Sequence, residues 1–254
     1  MIKKLKTFFW FIKKPQYIPQ IVQVLKRNSN KDSESSPTES TTWCKKHVVA
    51  QKDALNILLG CSDLFELPQL FPVDFKWAKN QEKECPFTMG GEGATSFLYH
   101  IVKSKRPNKV LETGVAYGWS SLAILLGLEN NENGFLVSND MPYIKMNNDE
   151  YVGCVIPDRL KQRWKLQRAA DVNGIPKALE YFDNELDLIH YDSDKSYYGR
   201  MWASPILWSS LNAGGLFISD DINDNLGFKH FGESVNRTPI IVEHQGKYVG
   251  VLTK

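Results

Sequence analysis

No stretch of this sequence is long and apolar. The run Phe8–Ile12 falls far short of the roughly 20 residues a membrane-crossing helix needs. It is also short for a secretory signal core, and no small-residue cleavage site follows it. Cysteine is scarce: Cys44, Cys61, Cys85 and Cys154 are the four in 254 residues, with no CxxC pair among them. That excludes a sequence-local zinc site. A chain long enough to bury its own core does not depend on disulfides either, so the thiols are read as reduced and the protein as cytoplasmic. Excess charge is lacking too. A net charge of +2 gives no bulk electrostatic case for nucleic acid. Acids are absent from residues 1–27, which hold seven Lys and Arg and leave −5 for the remainder. No internal repeat is present.

What is there falls into four parts. In residues 1–27, Ile2, Leu5, Phe9 and Ile12 recur at helical spacing among lysines, with Phe8, Trp10 and Phe11 beside them. This composition suits a helix lying at an anionic membrane surface, at the inner face of the membrane. It equally suits a helix packed on the protein's own body or a partner. Residues 28–42 carry no apolar side chain and read as a polar linker. Residues 43–106 read as a helical cap region, with helices over Trp43–Leu59 and Ala94–Lys105 and an irregular stretch over 61–87.

Residues 107–254 alternate strand and helix. Short apolar runs at Lys109–Thr113, Gly134–Asn139, Trp164–Arg168, Leu186–Tyr191 and Gly215–Ser219 read as buried parallel strands. Helices are expected at Ser120–Leu128, Pro176–Phe182 and Tyr198–Leu211, with an insertion over Met141–Arg163. Pro239–His244 and Lys247–Leu252, joined at Gln245-Gly246, read as a hairpin. The fold class is therefore α/β, a doubly wound Rossmann-like sheet of seven strands ending in an antiparallel hairpin.

The most informative segment is Val110-Leu-Glu-Thr-Gly-Val-Ala-Tyr-Gly-Trp-Ser120, a strand running through glycines into a helix. Gly114 lets the chain turn, and Gly118 lets a ligand approach the backbone. A dinucleotide site needs G-x-G-x-x-G to cradle pyrophosphate. Here three residues separate the glycines and Glu112 precedes them. A carboxylate beside the turn repels pyrophosphate and attracts the ammonium and sulfonium of S-adenosylmethionine. Asp140, 26 residues after Gly114, is placed to accept ribose hydroxyls.

The segment Glu-Thr-Gly-Val-Ala-Tyr-Gly resembles motif I, E-x-G-x-x-x-G, of the class I S-adenosylmethionine-dependent methyltransferases. The element order from residue 94 to 254 is similar to theirs as well. The resemblance implies that Glu112, Gly114, Tyr117 and Ser120 line the methionine end of the donor, that Asp140 binds ribose, and that Ala170 and Asp171 lie near adenine. Met89-Gly-Gly-Glu-Gly-Ala94 resembles the loop that covers the donor in catechol O-methyltransferase-like enzymes. It reads equally as a glycine-rich entry loop.

Two acidic clusters follow strands: Asp192-Ser-Asp-Lys195 after the fourth, and Asp220-Asp221 after the fifth. Acids converging in one crevice repel, and a hard divalent cation such as Mg²⁺ would offset that. The plainer reading is that Asp220 and Asp221 cap a turn while Asp192 binds a backbone amide or the donor; Asp192 is thus a candidate for catalysis and for cofactor binding as well as for the metal. The clusters resemble those of metal-dependent catechol and sugar O-methyltransferases, which implies that Asp192, Asp220 and Asp221 ligate the metal. A hydroxyl is a poor nucleophile, so a base is needed. Lys195 is the candidate if its pKa is depressed, and otherwise forms a salt bridge with Asp192 or Asp194. His190, two residues before Asp192, reads as sheet interior, while His230 is a second candidate base.

The expectation is an O-methyltransferase acting on a hydroxyl, with sugar or glycan acceptors ahead of catechol-type phenols. The chain is also compatible with an oligomer. A hydroxylase or lyase on the same scaffold and an inactive membrane-associated adaptor are the alternatives.

Overall fold

The alternation of short apolar runs with amphipathic stretches folds into one mixed sheet layered between helices. The computed structural model describes residues 9–21, 36–143 and 146–254. In chain order its elements begin with α1 (Pro37–His47), β1 (Val48–Val49), α2 (Gln51–Leu59), α3 (Leu67–Leu70), α4 (Pro72–Glu84) and α5 (Thr95–Lys105). There follow β2 (Lys109–Thr113), α6 (Trp119–Asn130), β3 (Phe135–Asp140), β4 (Trp164–Arg168), α7 (Asp171–Tyr181) and β5 (Leu186–Tyr191). The last are α8 (Tyr197–Ser210), β6 (Leu211–Ser219), α9 (Gly227–Ser234), β7 (Ile240–His244) and β8 (Lys247–Thr253).

The strand order is β1-β7-β8-β6-β5-β2-β3-β4. Strand β8 runs antiparallel to β6 and β7, and the other pairs are parallel. This is the doubly wound α/β sheet expected, with one more strand than the seven read from sequence. The extra member, β1, interrupts the helix expected over Trp43–Leu59. Its β-branched Val48 and Val49 pair with Ile241 and Val242 at the sheet edge. The β7–β8 hairpin turns at Gln245 and Gly246, with φ of 51° and 81°, a pair suited to the right-handed strand twist. Strand order reverses between β2 and β5, so a crevice opens at their carboxyl ends, where open α/β sheets bind ligands.

Helix α6 is apolar around nearly its whole circumference because it is wedged between the sheet and α5. Helices α7, α8 and α9 cover the opposite face, around Ile189, Phe217 and Phe228. Two expectations fail in the first half of the chain. Residues 61–87 are not irregular but carry α3 and α4. Pro68 and Pro72 stand in the first turns of those helices, where a missing N–H costs nothing. Residues 36–42 are not linker: Ser36 accepts from the Glu39 amide at 3.3 Å and opens α1. The rest of the expected 28–42 linker lies outside the described residues.

Only part of the basic aromatic segment 1–27 is described, residues 9–21. Trp10, Phe11 and Tyr17 are buried together, with the half-buried Met141 and Ile21 packed against them. The Tyr17 hydroxyl donates to the Arg168 carbonyl at 3.1 Å, and Lys14 pairs with Asp149 at 3.0 Å. This stretch packs on the protein's own body at the carboxyl end of β4, leaving Phe9, Ile12 and Ile18 exposed. No described helix is long and apolar enough to cross a membrane.

Candidate active site

Strand register builds the floor of the site. Glu112 stands between Ser138 of β3 and His190 of β5. Its carboxylate, fully removed from solvent, accepts from the hydroxyls of Ser120 (2.6 Å), Ser121 (2.5 Å) and Ser138 (2.7 Å). His190 Nδ1 lies 3.4 Å from Glu112, and its Nε2 lies 3.8 Å from Asp220. Burial opposes charge on this imidazole, but the two flanking carboxylates outweigh it and lift the pKa to about 9. The expectation that Glu112 faces a donor ammonium is therefore corrected. The side chain lies beneath the turn, outside the cavity lining, and its lone pairs are spent on the protein's own hydroxyls. His190 is sheet interior, as read.

Above this floor, the chain from Gly114 to Tyr117 forms one wall of a cavity of about 690 Å³. Gly114 has φ +82°, and a Cβ there would stand 2.4 Å from the Asp192 carbonyl oxygen. Gly118, with φ +95°, would place a Cβ 2.9 Å from Gly153. Its freedom serves packing against the 141–163 insertion and not ligand approach, and it does not line the cavity. Asp140 lines the cavity and knits the turn together. Its Oδ2 accepts from the amides of Val115 (2.8 Å) and Ala116 (3.2 Å), while its Oδ1 accepts from Arg168. Sequence reasoning missed Arg168, which also bonds Asp149 at 2.9 Å.

The other residues expected around a donor divide clearly. Met89, Tyr117, Ser120 and Asp171 line the cavity, as do Gly90, Gly91 and Gly93 of the glycine loop. Tyr117 donates its hydroxyl to the Phe87 carbonyl at 2.5 Å. Tyr143 donates to the Met89 carbonyl at 3.1 Å, tying the glycine loop across to the insertion. Asp171 accepts from Ser193 at 2.6 Å and Asn139 at 3.0 Å. Desolvation lifts its carboxyl to about 6, against the lowering effect of the Ser193 bond. Ala170 is fully buried and outside the lining. Gln20, from the N-terminal stretch, reaches the cavity.

The same cavity is lined by Asp192, Asp220, Asp221 and Lys195, with the Asp192 backbone against Gly114 and the Asp220 carboxylate near Gly93. The Lys195 ammonium is 2.8 Å from Asp192 Oδ1 and also bonds Asp221. Burial opposes its charge, yet Asp192 and Asp221 hold its pKa well above the usual lysine value. Lys195 is thus no neutral amine, which corrects its expected role as general base. Asp221 takes a second ammonium, Lys247, at 3.2 Å. Burial raises and the two lysines lower the Asp221 carboxyl, and the lysines prevail. Asp220 rises to about 6 through burial and the repulsion of Asp192.

This donor set does not fit the expected Mg²⁺. Each carboxylate already faces a cationic side chain of the protein. Among the described residues no three His, Cys, Asp or Glu side chains converge as a metal centre requires.

Sequence reasoning missed two further contributions. Arg200, buried within α8, donates to Ser219 Oγ (2.6 Å) and to the carbonyls of Asp220 (2.8 Å) and Asp221 (2.9 Å). It thereby fixes the turn after β6, where Asp221 has φ +50°. A lone arginine in a helix otherwise fit for the core was the available signal. His244, Gln245 and Lys247 of the hairpin also line the cavity, and nothing in their local pattern announces it. His230, the other candidate base, meets the Tyr197 hydroxyl at 3.1 Å and does not line the cavity.

Comparison with known proteins bears on the fold. Residues 111–222 match the family described as a methyltransferase domain. No curated protein sequence matches the chain. Among solved structures, an O-methyltransferase from Bacillus cereus in complex with SAH is similar at a TM-score of 0.52 and 14% identity, over 83% of this chain and 100% of that one. The O-methyltransferase TomG from Streptomyces achromogenes, involved in tomaymycin synthesis and in complex with SAM, gives 0.54 and 13%, over 80% and 95%. An SAH-bound methyltransferase from Podospora anserina gives 0.52 and 14%, over 87% and 97%. At these identities the likeness is one of fold.

Proposed function

We propose that this protein, which carries a methyltransferase domain on the class I methyltransferase fold, transfers a methyl group from S-adenosylmethionine to a hydroxyl of a sugar-like acceptor. The observation that carries the reading is one cavity lined both by the glycine turn and by a cluster of carboxylates and ammonium groups. The part formed by the glycine turn, Asp140 and the glycine loop suits the donor. There Met89, Gly114, Tyr117, Ser120, Asp140 and Asp171 would surround it, with Asp140 toward ribose.

Asp192, Asp220, Asp221, Lys195, Lys247 and Gln245 give the rest of the lining a largely polar character, with His244 and Val249 of the hairpin beside them. Of the cavity's aromatic side chains, Tyr117 and Trp119 belong to the donor turn, while Tyr143 of the insertion lies near both Asp140 and Asp192. Carboxylates, ammonium groups and an amide satisfy a ring bearing many hydroxyls. A flat phenol would want an apolar slot.

In the transfer, the acceptor oxygen attacks the sulfonium methyl in line. The C–S bond breaks, sulfur keeps the electron pair as S-adenosylhomocysteine, and the hydroxyl proton leaves to a base. Asp220 lines the cavity and has no lysine partner among the described residues, so it is placed to take that proton. Much of the acceleration would come from holding oxygen and methyl in line.

Incubation with methyl-labelled donor and a panel of sugars, glycans and phenols tests the reading. Label in a sugar fraction that disappears with Asp220→Asn supports it. Label confined to phenols, or none despite donor binding, sinks it. Association with an anionic membrane would use the exposed Phe9, Ile12 and Ile18 beside Lys13. Vesicle co-sedimentation that survives Phe9→Glu with Ile12→Glu would remove that role.

A further inference from the structure

We infer that the acceptor part of the cavity is organised by a built-in ammonium, that of Lys195, in the position where a divalent cation would otherwise sit. Carboxylates projecting from the ends of two adjacent parallel strands cannot share a crevice without a counter-charge. Asp192 follows β5, and Asp220 and Asp221 follow β6. The register Tyr191↔Ser219 sets these acids side by side.

The chain supplies the counter-charge itself. Lys195 lies three residues after Asp192, and the loop between them turns back so that one ammonium bonds both Asp192 and Asp221. The loop is held in that shape. Ser196 donates through its amide and hydroxyl to Asp194 at 3.1 and 2.7 Å, and Asn225 donates to the Lys195 carbonyl at 2.7 Å. Lys247 approaches Asp221 from the hairpin side, and His190 stands behind Asp220. A divalent ion entering here would have to displace one or two ammonium groups.

The arrangement gives Lys195 a further use, which rests on the methyl-transfer reading. An ammonium has three donors. Two are spent on Asp192 and Asp221, and the side chain lines the cavity. The third can point at an acceptor oxygen, orienting it and stabilising the negative charge that develops as its proton leaves. Unlike a loosely held ion, this cation is fixed by the fold before substrate arrives.

The test uses Mn²⁺ as the probe, followed by electron paramagnetic resonance and calorimetry on the full chain. S-adenosylhomocysteine binding is measured in parallel as a check on the donor site. The wild-type protein is expected to bind no Mn²⁺ in the micromolar range. Lys195→Met, and Lys195→Met combined with Lys247→Met, should gain a Mn²⁺ site at least about tenfold tighter than any in wild type. Asp221→Asn added to either variant should abolish it. Micromolar, stoichiometric Mn²⁺ binding by the wild type overturns the inference without any variant being needed. So does a Lys195→Met protein that binds S-adenosylhomocysteine normally yet gains no Mn²⁺ site. Loss of S-adenosylhomocysteine binding by the wild type would instead sink the methyl-transfer reading. The Mn²⁺ result would stand apart from that outcome.

Discussion

Replacing Gly114 by alanine tests the geometry of the donor turn more sharply than any change of charge. The new Cβ would stand 2.4 Å from the Asp192 carbonyl oxygen and 2.7 Å from its carbon. Both are backbone atoms, so no side chain can swing aside. The Asp192 amide already bonds the Thr113 carbonyl at 2.8 Å, and relief of the clash must stretch that link between β2 and β5. The φ of +82° adds about 1–2 kcal/mol for any residue with a side chain. Crowding a packed position adds about 1–3 kcal/mol. Together these give roughly 2–5 kcal/mol, or a fall in Tm of roughly 4–20 °C for a domain of this size. The amides of Val115 and Ala116 would shift with the turn, so S-adenosylhomocysteine affinity should fall at least about tenfold. Gly91→Ala is the internal control. It lines the same cavity, has nothing within 4 Å of the added carbon and no positive φ, so Tm should hold within about 1 °C. Differential scanning fluorimetry and calorimetry read both variants. A Gly114→Ala protein matching wild type in Tm and donor affinity would refute the close approach of the two strand ends.

Trp10→Ala should loosen residues 9–21, because Trp10 stacks on Tyr17 and meets Phe11 edge-on. Gln20 of that stretch lines the cavity, so donor affinity should weaken and trypsin should cut there sooner; an unchanged Kd and cleavage rate would show that the stretch contributes nothing to the site. Glu112→Gln leaves His190 without its charged inner partner and turns an amide N–H₂ toward one or two of the three hydroxyls, at a cost of about 3–5 kcal/mol. Tm should therefore fall more clearly than donor affinity, and the reverse ranking would mean that the carboxylate faces the donor after all. The Asp171 carboxyl is raised to about 6 in the fold from an ordinary 3.8. Such a group contributes stability that is complete below its unfolded value and lost as pH rises through about 6. Thermal denaturation between pH 4 and 7 should thus show wild type gaining on acidification relative to Asp171→Asn, and parallel curves would contradict the shift.

The sheet and its glycine turn were legible because their signals are local: short apolar runs, a strand passing into Gly114, and a Gln-Gly pair between two alternating segments. Helices α3 and α4 were hidden by prolines that read as breakers and act as starters. Roles of charged residues were harder still. Glu112 and Lys195 were each given a task on the assumption that an acid or amine near a ligand faces it. Their behaviour depends on partners distant in sequence: Ser138 and His190 for the first, Asp221 for the second. A single sequence does not pair residues 26 apart in different strands unless register is known. Arg168 and Arg200 escaped notice for the same reason, since their bonds lie across the sheet ends and not along the chain.

Strand β8 follows every other strand in the chain, yet it lies between β6 and β7. The order of synthesis and the order in space therefore disagree. While residues 247–253 are unmade, β6 presents an open parallel edge, and β7 and β1 have no route into the sheet. Lys247 does not yet exist, and Gln245 has no hairpin to hold it at the cavity. A nascent chain can complete its donor turn well before it can complete a reaction site, and in that interval its bare edge is an invitation to pair with another chain. A stop at residue 246 would leave a protein with its donor turn formed, prone to aggregate, and with a reaction site lacking Lys247 and the hairpin that closes it.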